Sequence, residues 1–524
     1  MTTQGDNKTI ASGKSRTVRW LRRLFFASVS LVIAFIAFHL EENWRGERAW
    51  TQYKRAQEAK GEKLDRASYI PPPVPDDQNF AMTPFLAPLT DFDPTTGQLR
   101  QTDALKRTQA FAKSLPLGSG GGRIKGWCCD LVALREAMQK PASDEVAMIP
   151  RAKPRTAQER AAAAPTVLAA LKQYEPDIEE LRAASRRPHC RINLRYETEN
   201  PSMIQFPSFN LLREVSRVLM IRASAELALG QSERALADLD LLFYMANATR
   251  DCLLVGQLVG FTDDERGAQI IWEGLANHQW SDEQLRALQT KLQSMDRLAS
   301  LQRAMKAERA IFGNGVFDYL KKQPSNTVLS MLQSFSETPW VAKQPSLLTV
   351  VISYTIPPGW LDFEQLNYNR CFEELFLPVF DMTTRRVYPQ RAMRNQQTLE
   401  EGGISCIWQH KVIVRLLLSD ITAVSMRSAY AQTTVDEAML ACALERCQLA
   451  DGKFPDSLDA LVPRFITKLP HDVITGEPLK YRRDGEGYVL YSVGWNEKDD
   501  GGKADKIRGS EDGDWVWQCP AKQP

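Results

Sequence analysis

The chain has 524 residues, of which 43% are hydrophobic and 25% charged, and its mean hydropathy of −0.35 excludes a protein with many membrane spans. At roughly 150 residues per domain, this length suggests two to four folded units. The 66 basic and 64 acidic residues leave a net charge of +2, which argues against a dedicated nucleic-acid-binding protein, because such proteins carry a strong basic field.

The first predicted element is a membrane anchor at residues 24–40. This run contains no Asp, Glu, Lys or Arg, and as a helix it would span about 25 Å, against ~30 Å for the hydrocarbon core of a bilayer. Trp20 and Trp44 flank it at interface positions, and Arg22 and Arg23 can snorkel to lengthen the span. Residues 1–23 carry six basic residues and one acidic residue, so this basic tail is predicted to stay in the cytoplasm.

Three other interpretations of this segment are open. A cleaved signal peptide would need a small-x-small cleavage site, but Ala34 and Ala37 lie three positions apart. The sequence RRLFF at 22–26 is a weak match to a twin-arginine export signal. A buried helix of a soluble core would normally carry polar residues along one face. A permanent signal anchor is therefore the preferred interpretation.

Residues 41–125 are predicted to connect the anchor to the rest of the protein. Residues 41–66 are charged and helix-favouring, so they predict a juxtamembrane helix. Four prolines between positions 71 and 75 then favour a stiff extended spacer, although proline-rich stretches also serve as ligands for recognition domains. The glycine-rich run at 118–122 is a second break, and no Gly-Lys-Ser/Thr of a phosphate loop follows it.

Helical periodicity extends over most of residues 126–430, which we take as one helical domain. Gly230 is a natural helix C-terminus, and the helix predicted at Ser232–Thr249 places its apolar side chains on one face: Ala235, Leu236, Leu239, Leu242, Phe243 and Ala246. This stretch and the one before it resemble a single tetratricopeptide-type hairpin, although an ordinary pair of antiparallel helices is the simpler interpretation.

A further helix in this domain is predicted to begin after Ser281. Ser281 is a suitable N-cap, Gln284 completes a capping box with it, and Trp280 can pack against Leu285. Residues 355–390 contain four prolines and predict an irregular connection between helices.

No motif in the sequence indicates catalysis. The five histidines have no metal-ligand spacing, and there is no H-E-x-x-H, Walker loop or G-x-S-x-G. Glu308 and Arg309 are interpreted as an exposed helix pair rather than as cleft residues. All nine cysteines follow the anchor, where an oxidising compartment would allow disulfides. We therefore expect no enzyme, and no small-molecule substrate is identified.

The C-terminal region, residues 431–524, predicts a small α+β module. A helix at Val435–Leu449 is expected to end at Asp451-Gly452. Two alternating segments, Leu479–Arg483 and Glu486–Val493, predict strands joined by a two-residue turn at Asp484-Gly485. Trp515-Val516-Trp517 is the last predicted strand.

The order of motifs in this region resembles the globular part of the major pseudopilin of bacterial type II secretion. That family has a helix ending in Asn/Asp-Gly-x-Tyr-Pro, then Leu-Pro-x-Asp-Pro, a tyrosine-bearing hairpin, and Tyr-Ser-x-Gly-x-Asp leading to Gly-Gly and Asp-x-x-Trp. The matching residues are DGKFP at 451–455, LPHD at 469–472, Gly476, Tyr481, YSVGWN at 491–496, GG at 501–502 and DWVW at 514–517. Val473 replaces the family's proline, and the anchor lies far upstream without the family's processing site. The resemblance therefore implies a pseudopilin-like module fused to a helical body.

Members of that family hold a calcium ion in the loop that follows the hairpin. By this resemblance, the candidate ligands here are Asn496, Asp499, Asp500, Asp512 and Asp514. Residues 484–514 contain nine acidic and four basic residues, and a cation would relieve the repulsion among them. The alternative is a solvated acidic loop without a metal.

The sequence thus predicts a mainly α protein with an N-terminal transmembrane helix, a large helical body and a small C-terminal α+β module. We expect it in the bacterial inner membrane, with its bulk in the periplasm and a protein partner bound to its helical body or C-terminal module. The expected function is that of a membrane-anchored scaffold or interaction protein, linked to secretion or envelope assembly, whose C-terminal module is stabilised by Ca²⁺. An envelope hydrolase with an unrecognised active site in the helical domain is the alternative.

Overall fold

Helices make up 66% of the residues that the structure describes, and the predicted fold class is confirmed by a computed structural model. The structure describes residues 9–93, 96–113, 128–139, 155–196, 198–251, 253–324, 356–401, 405–418, 420–504 and 510–519. The glycine-rich run at 118–122 lies outside these ranges. A long apolar helix stands at the N-terminus and a three-stranded antiparallel sheet at the C-terminus.

The helices are numbered here in sequence order. They are α1 Thr9–Ala59, α2 Asp103–Lys113, α3 Leu131–Met138, α4 Ala157–Leu171, α5 Glu175–Ala184, α6 Pro207–Ala228, α7 Ser232–Ala248, α8 Leu254–Ala276, α9 Asp282–Gln293, α10 Arg297–Glu308, α11 Asn314–Leu320, α12 Trp360–Cys371, α13 Pro389–Glu400, α14 Ser405–Trp408, α15 Val412–Leu417 and α16 Ile421–Asp451. The strands are β1 Phe380–Asp381, β2 Arg386–Val387, β3 Lys480–Asp484, β4 Gly487–Ser492 and β5 Trp515–Cys519.

The protein packs into two units. The anchor unit consists of the described residues of 1–64, 313–371 and 402–418, and the body unit consists of those of 65–312, 372–401 and 419–524. Each unit is therefore assembled from three separate stretches of sequence.

In the anchor unit, the predicted span and the predicted juxtamembrane helix form one continuous helix, α1. Its part from Arg19 onward contains a segment long and apolar enough to cross a membrane, and no part of that segment is buried against the protein. Beyond the segment, α1 packs against α12, and the backbones touch near Gly46 and Gly359, since a Cβ on either glycine would overlap the backbone of the opposing segment. The irregular connection predicted at 355–390 is wrong, because α12 and the start of α13 lie within it.

In the body unit, α6 and α7 form the predicted pair of packed helices. Gly230 between them has a φ of +72°, a left-handed conformation that glycine adopts without strain. The capping box of α9 is also confirmed: Gln284 N–H donates to Ser281 Oγ at 3.2 Å, and Ser281 N–H donates to Gln284 Oε1 at 3.0 Å.

The C-terminal helix α16 begins at Ile421, fourteen residues before the predicted start at Val435, and the predicted domain boundary at 430/431 falls inside it. It is buried around nearly its whole circumference from Ser428 to Cys447, so a one-faced apolar pattern could not mark its beginning. Gly452 ends it with a φ of +75°, as predicted.

The sheet has the order β3-β4-β5, with β4 in the centre and buried along its length. Because Asp484 pairs with Gly487, the hairpin loop is Gly485-Glu486, one residue later than predicted. The sheet is tied to α8 by the Trp272 Nε1–H group, which donates to the Gln518 carbonyl oxygen at 2.7 Å. The module therefore packs into the body unit instead of standing apart from it.

Candidate functional site

The acidic loop between β4 and β5 contains all five predicted calcium ligands. Asp514 is the buried one: its Oδ1 accepts a hydrogen bond from Asp500 N–H at 3.2 Å, and its Oδ2 accepts one from Gly502 N–H at 2.7 Å. Asn496 Nδ2 donates to Asp500 Oδ2 at 3.1 Å. Asp514 thus holds the loop in place through the loop's own amides.

The other two candidates differ in their surroundings. Both are exposed, but Asp499 Oδ1 accepts hydrogen bonds from the Tyr491 hydroxyl and from Gly501 N–H, both at 3.0 Å. Within the described residues, no group of three or more His, Cys, Asp or Glu side chains is arranged to hold a metal ion. Asp514 and Asp499 already accept hydrogen bonds from amides of the loop, and calcium binding stays a prediction.

A larger polar feature lies in the body unit, in a cavity among α4, α5, α6 and α7. Its volume is about 570 Å³, and it opens to solvent, a size within the range of small-ligand sites in proteins. Its charged lining residues are four basic and three acidic ones: Lys172, Arg182, Arg222, Arg234, Glu175, Glu179 and Glu226. One side of the wall comes from the C-terminal end of α4 and from α5, and the other comes from the α6/α7 pair.

Asp238, on α7, organises the arginines of this cavity. It is fully buried and binds two guanidinium groups, with Arg222 Nε at 2.6 Å, Arg222 Nη2 at 2.8 Å and Arg182 Nη2 at 2.6 Å from its carboxylate oxygens. Burial raises the pKa of Asp238, but hydrogen bonds to both oxygens from two cations favour the ionised form. The arginines are consequently held in one orientation along the cavity wall.

Two polar atoms beside this pair have no hydrogen-bond partner. They are Nη1 of Arg222 and Oε2 of Glu226, one helical turn apart on α6, and Arg222 Nε lies 3.9 Å from Glu226 Oε1. Buried polar groups are normally hydrogen-bonded, so an unsatisfied pair in a cavity wall needs an explanation. Glu175 lies 3.6 Å from Arg222 Nη1, which is too far for a hydrogen bond.

The surroundings of Glu226 favour its protonated form. Burial, reinforced by the negative charge of Asp238, raises its pKa to about 8. Its carboxyl group is therefore a hydrogen-bond donor next to the guanidinium of Arg222. Arg222 and Glu226 line the same cavity as Arg234 and Lys172, and the two unpaired atoms lie buried in its wall. Such a set of donors is suited to binding a carboxylate.

Other buried charges in the body unit have structural roles. Asp264 on α8 binds Arg297 Nη2 at 2.7 Å and also contacts Arg250, and all three are buried. The prediction that Glu308 and Arg309 form an exposed pair is wrong. Arg309 is completely buried, with Nη1 at 3.3 Å from Glu373 Oε1, and Glu308 accepts a hydrogen bond from Leu254 N–H at 3.0 Å.

No disulfide joins any two of the described cysteines. Burial raises the pKa of both the Cys129 and the Cys442 thiol far above the ordinary range, so neither is activated as a nucleophile.

Comparisons with known proteins give no relative for this protein. No family profile matches it, and no curated protein or solved structure is significantly similar. Functional inference therefore rests on the geometry of the protein itself.

The periodicity of the sequence does not predict the cavity, although one residue signals it. Asp238 lies three residues after Ala235 and four before Leu242, so it falls on the face of α7 that was predicted to be apolar and buried. A carboxylate on such a face needs a cationic partner. The arginines that supply it come from other helices, which periodicity alone cannot bring together.

Proposed function

We propose that the protein is a membrane-anchored binding protein whose cavity receives a carboxylate of a partner polypeptide. The observation that carries this proposal is the adjoining pair of unsatisfied groups, Arg222 Nη1 and Glu226 Oε2, in the wall of an open cavity. A ligand carboxylate that enters the wall far enough to reach these two buried atoms would accept one hydrogen bond from each, which would remove the cost of leaving both groups unpaired.

The net charge of the cavity favours a ligand with a carboxylate group over a ligand with an amino group. With Glu226 protonated, the four basic lining residues face Glu175, Glu179 and the buried Asp238. An anion is therefore favoured at neutral pH, and a positively charged ligand is not. An aspartate, a glutamate or the terminal carboxylate of a polypeptide that enters from solvent fits this requirement.

Paired peptides test the proposal. Acetylated, amidated tetrapeptides that each contain one glutamate are compared with the same peptides containing glutamine, with binding measured by fluorescence anisotropy on the full-length protein in detergent. We expect a subset of glutamate peptides to bind, with loss of binding in their glutamine counterparts. Equal binding of both members in every pair would contradict the proposal.

A second candidate function, an envelope hydrolase, is favoured by one observation. A protonated Glu226 beside ionised carboxylates is the kind of acid and base arrangement that hydrolases use. Mass spectrometry of the same peptides after incubation distinguishes the two: an intact bound peptide supports a binding protein, and a cleaved peptide supports a hydrolase.

We further propose that α1 spans the bacterial inner membrane with its N-terminus in the cytoplasm. The exposed apolar segment and the six basic residues before it support this orientation. Labelling of a Ser510→Cys variant with a membrane-impermeant maleimide in intact spheroplasts, compared with the parent protein, tests it. Labelling only after the membrane is opened would contradict the periplasmic placement.

The link to secretion is a narrower proposal that rests on the C-terminal module. Support comes from the LPHD motif, in which Asp472 is buried and accepts hydrogen bonds from Ile474 N–H at 2.9 Å, Ser492 Oγ at 2.9 Å and Val493 N–H at 3.2 Å. This aspartate joins the turn at 472–476 to the end of β4. Co-purification of the protein with secretion components from membranes tests the link, and its absence under cross-linking conditions would count against it.

A further inference from the structure

The anchor unit exposes two large apolar side chains close to the end of the apolar segment of α1. Trp408 is 71% exposed and Ile407 is 41% exposed, both on the short helix α14. Trp44, on α1 itself, is 59% exposed. Exposed tryptophans next to an apolar span are typical of residues at a membrane–water interface.

A series of contacts holds α14 at this level of α1. The indole Nε1–H of Trp360 donates to Glu42 Oε2 at 3.0 Å, and Gly359 N–H donates to Asn43 Oδ1 at 2.8 Å. The rings of Trp360 and Trp408 are 5.8 Å apart, edge to face. Trp408 is therefore tied to residues 42–43, which lie only about 3–5 Å beyond Leu40 along the helix axis.

The rest of the α14 segment is anchored to α12 as well. Asn367 Nδ2 donates to the carbonyl oxygens of Gln409 and His410 at 2.9 and 3.0 Å, and the ring of Phe363 stacks on that of His410 at 4.8 Å. Glu364 accepts hydrogen bonds from the first amides of α15, those of Val412, Ile413 and Val414. The position of Trp408 is consequently set by several independent contacts.

The length of the apolar segment places this surface at the bilayer. Residues 24–40 extend about 25 Å, which is some 5 Å short of the hydrocarbon core. The helix turn that follows, residues 41–43, then lies at the edge of the hydrocarbon core, where it meets the interfacial layer. Glu42 there has its charge met by Arg45 at 2.6 Å and by Trp360. Residues 41–48 contain three acidic and two basic residues, so attraction to anionic headgroups does not drive the contact.

From this placement we infer that α14 is a second membrane contact, in which Ile407 and Trp408 insert into the headgroup layer of the bilayer that α1 crosses. The inference rests on the proposed function only in so far as α1 spans a membrane. The lipid surface would bury the two side chains that the protein leaves exposed. The anchor unit would then be held to the membrane at two points, through α1 and through α14.

Photo-cross-linking in proteoliposomes of phosphatidylethanolamine and phosphatidylglycerol tests the inference. The photoreactive residue p-benzoylphenylalanine is placed in the full-length protein at Trp408, and in separate variants at Ile407, Phe35 and Ala56. Phe35 reports on the span itself, and Ala56 is an exposed position of α1 about 24 Å beyond Leu40. Adducts between the protein and phospholipid are measured by mass spectrometry after irradiation.

We expect lipid adducts at 35, 407 and 408 and none at 56. Adducts at 35 without any at 407 or 408 would overturn the second contact and leave the anchor intact. A lack of adducts at all four positions would instead overturn the anchor. Because Trp408 and Ile407 are both exposed, either variant reports on the contact should the other disturb folding.

Discussion

The acidic loop and the charged cavity both contain clustered charged side chains, but the two regions differ in how the hydrogen-bonding groups of those side chains are satisfied. In the loop, the carboxylates lie close together in sequence, and those of Asp514 and Asp499 accept hydrogen bonds from nearby backbone amides. In the cavity, acids and bases come from separate helices, and after Asp238 has bound Arg222 and Arg182, two polar atoms are still unsatisfied. A dense run of charges in the sequence therefore need not mark the site, while a lone charge on an apolar face can.

The largest expected effect is on the free energy of unfolding, which should fall much more for a substitution in the cavity than for a matched one in the loop. Asp238→Asn leaves the buried guanidinium of Arg222 and the half-buried one of Arg182 without their anion, so we expect a loss of about 3–5 kcal/mol in the free energy of unfolding, measured by chemical denaturation. Asp512→Asn, a matched change at an exposed loop position, should stay within about 0.5 kcal/mol of the parent. Similar stability of the two variants would remove the distinction between the regions.

A smaller effect is expected within the loop itself. In Asp514→Asn, an amide NH₂ replaces one of two oxygens that accept backbone hydrogen bonds, so we expect a loss of about 2 kcal/mol in the free energy of unfolding. Denaturation of this variant beside Asp512→Asn measures the difference. If Asp514→Asn is as stable as the parent, the loop is not held by that carboxylate.

A third substitution tests whether a basic residue in the cavity lining contributes to the affinity for a carboxylate ligand. Arg234 is exposed in the lining of the cavity, and Arg234→Glu should weaken binding of a glutamate peptide about tenfold, or by about 1.4 kcal/mol. Arg213→Glu makes the same charge change on α6, outside the cavity lining, and should leave the affinity within about twofold of the parent. Equal weakening by both would indicate a general effect of net charge instead of a contact in the cavity.

Calcium is expected to have the smallest effect. If the loop binds Ca²⁺ with the low affinity of an extracellular module, about 1 mM of the ion should stabilise the protein by about 1 kcal/mol. Calorimetry and thermal unfolding of the full-length protein measure this, and a combined Asp499→Asn and Asp500→Asn variant should not respond. No heat and no shift with the parent protein would remove the calcium prediction.

The elements that the sequence predicts well are those with local signals. The charge-free run at 24–40 predicts the apolar helix, the Ser281–Gln284 capping box predicts the start of α9, and Gly230 and Gly452 predict the ends of α6 and α16. Each depends on a few residues that lie close together in the sequence.

Local signals do not predict elements that are buried on all sides, nor contacts between residues far apart in the sequence. The start of α16 has no polar face to mark it, and α12 lies in a proline-containing stretch whose packing near Gly46 joins residues more than 300 positions apart. The cavity depends in the same way on Arg182, Arg222 and Asp238, which only tertiary packing brings together.

Binding of a ligand carboxylate by a protonated Glu226 is the central claim, and the pH dependence of affinity tests it most directly. Since the pKa of Glu226 is about 8, the dissociation constant of a glutamate peptide should be nearly constant from about pH 6.5 to about 7.5. Above about pH 8, ionised Glu226 repels the ligand, so the dissociation constant should rise up to about tenfold per pH unit. Glu226→Gln retains a neutral donor and should bind equally well across this range. A parent protein whose affinity does not change up to about pH 9.5, or a Glu226→Gln variant with the same loss above about pH 8, would contradict the account.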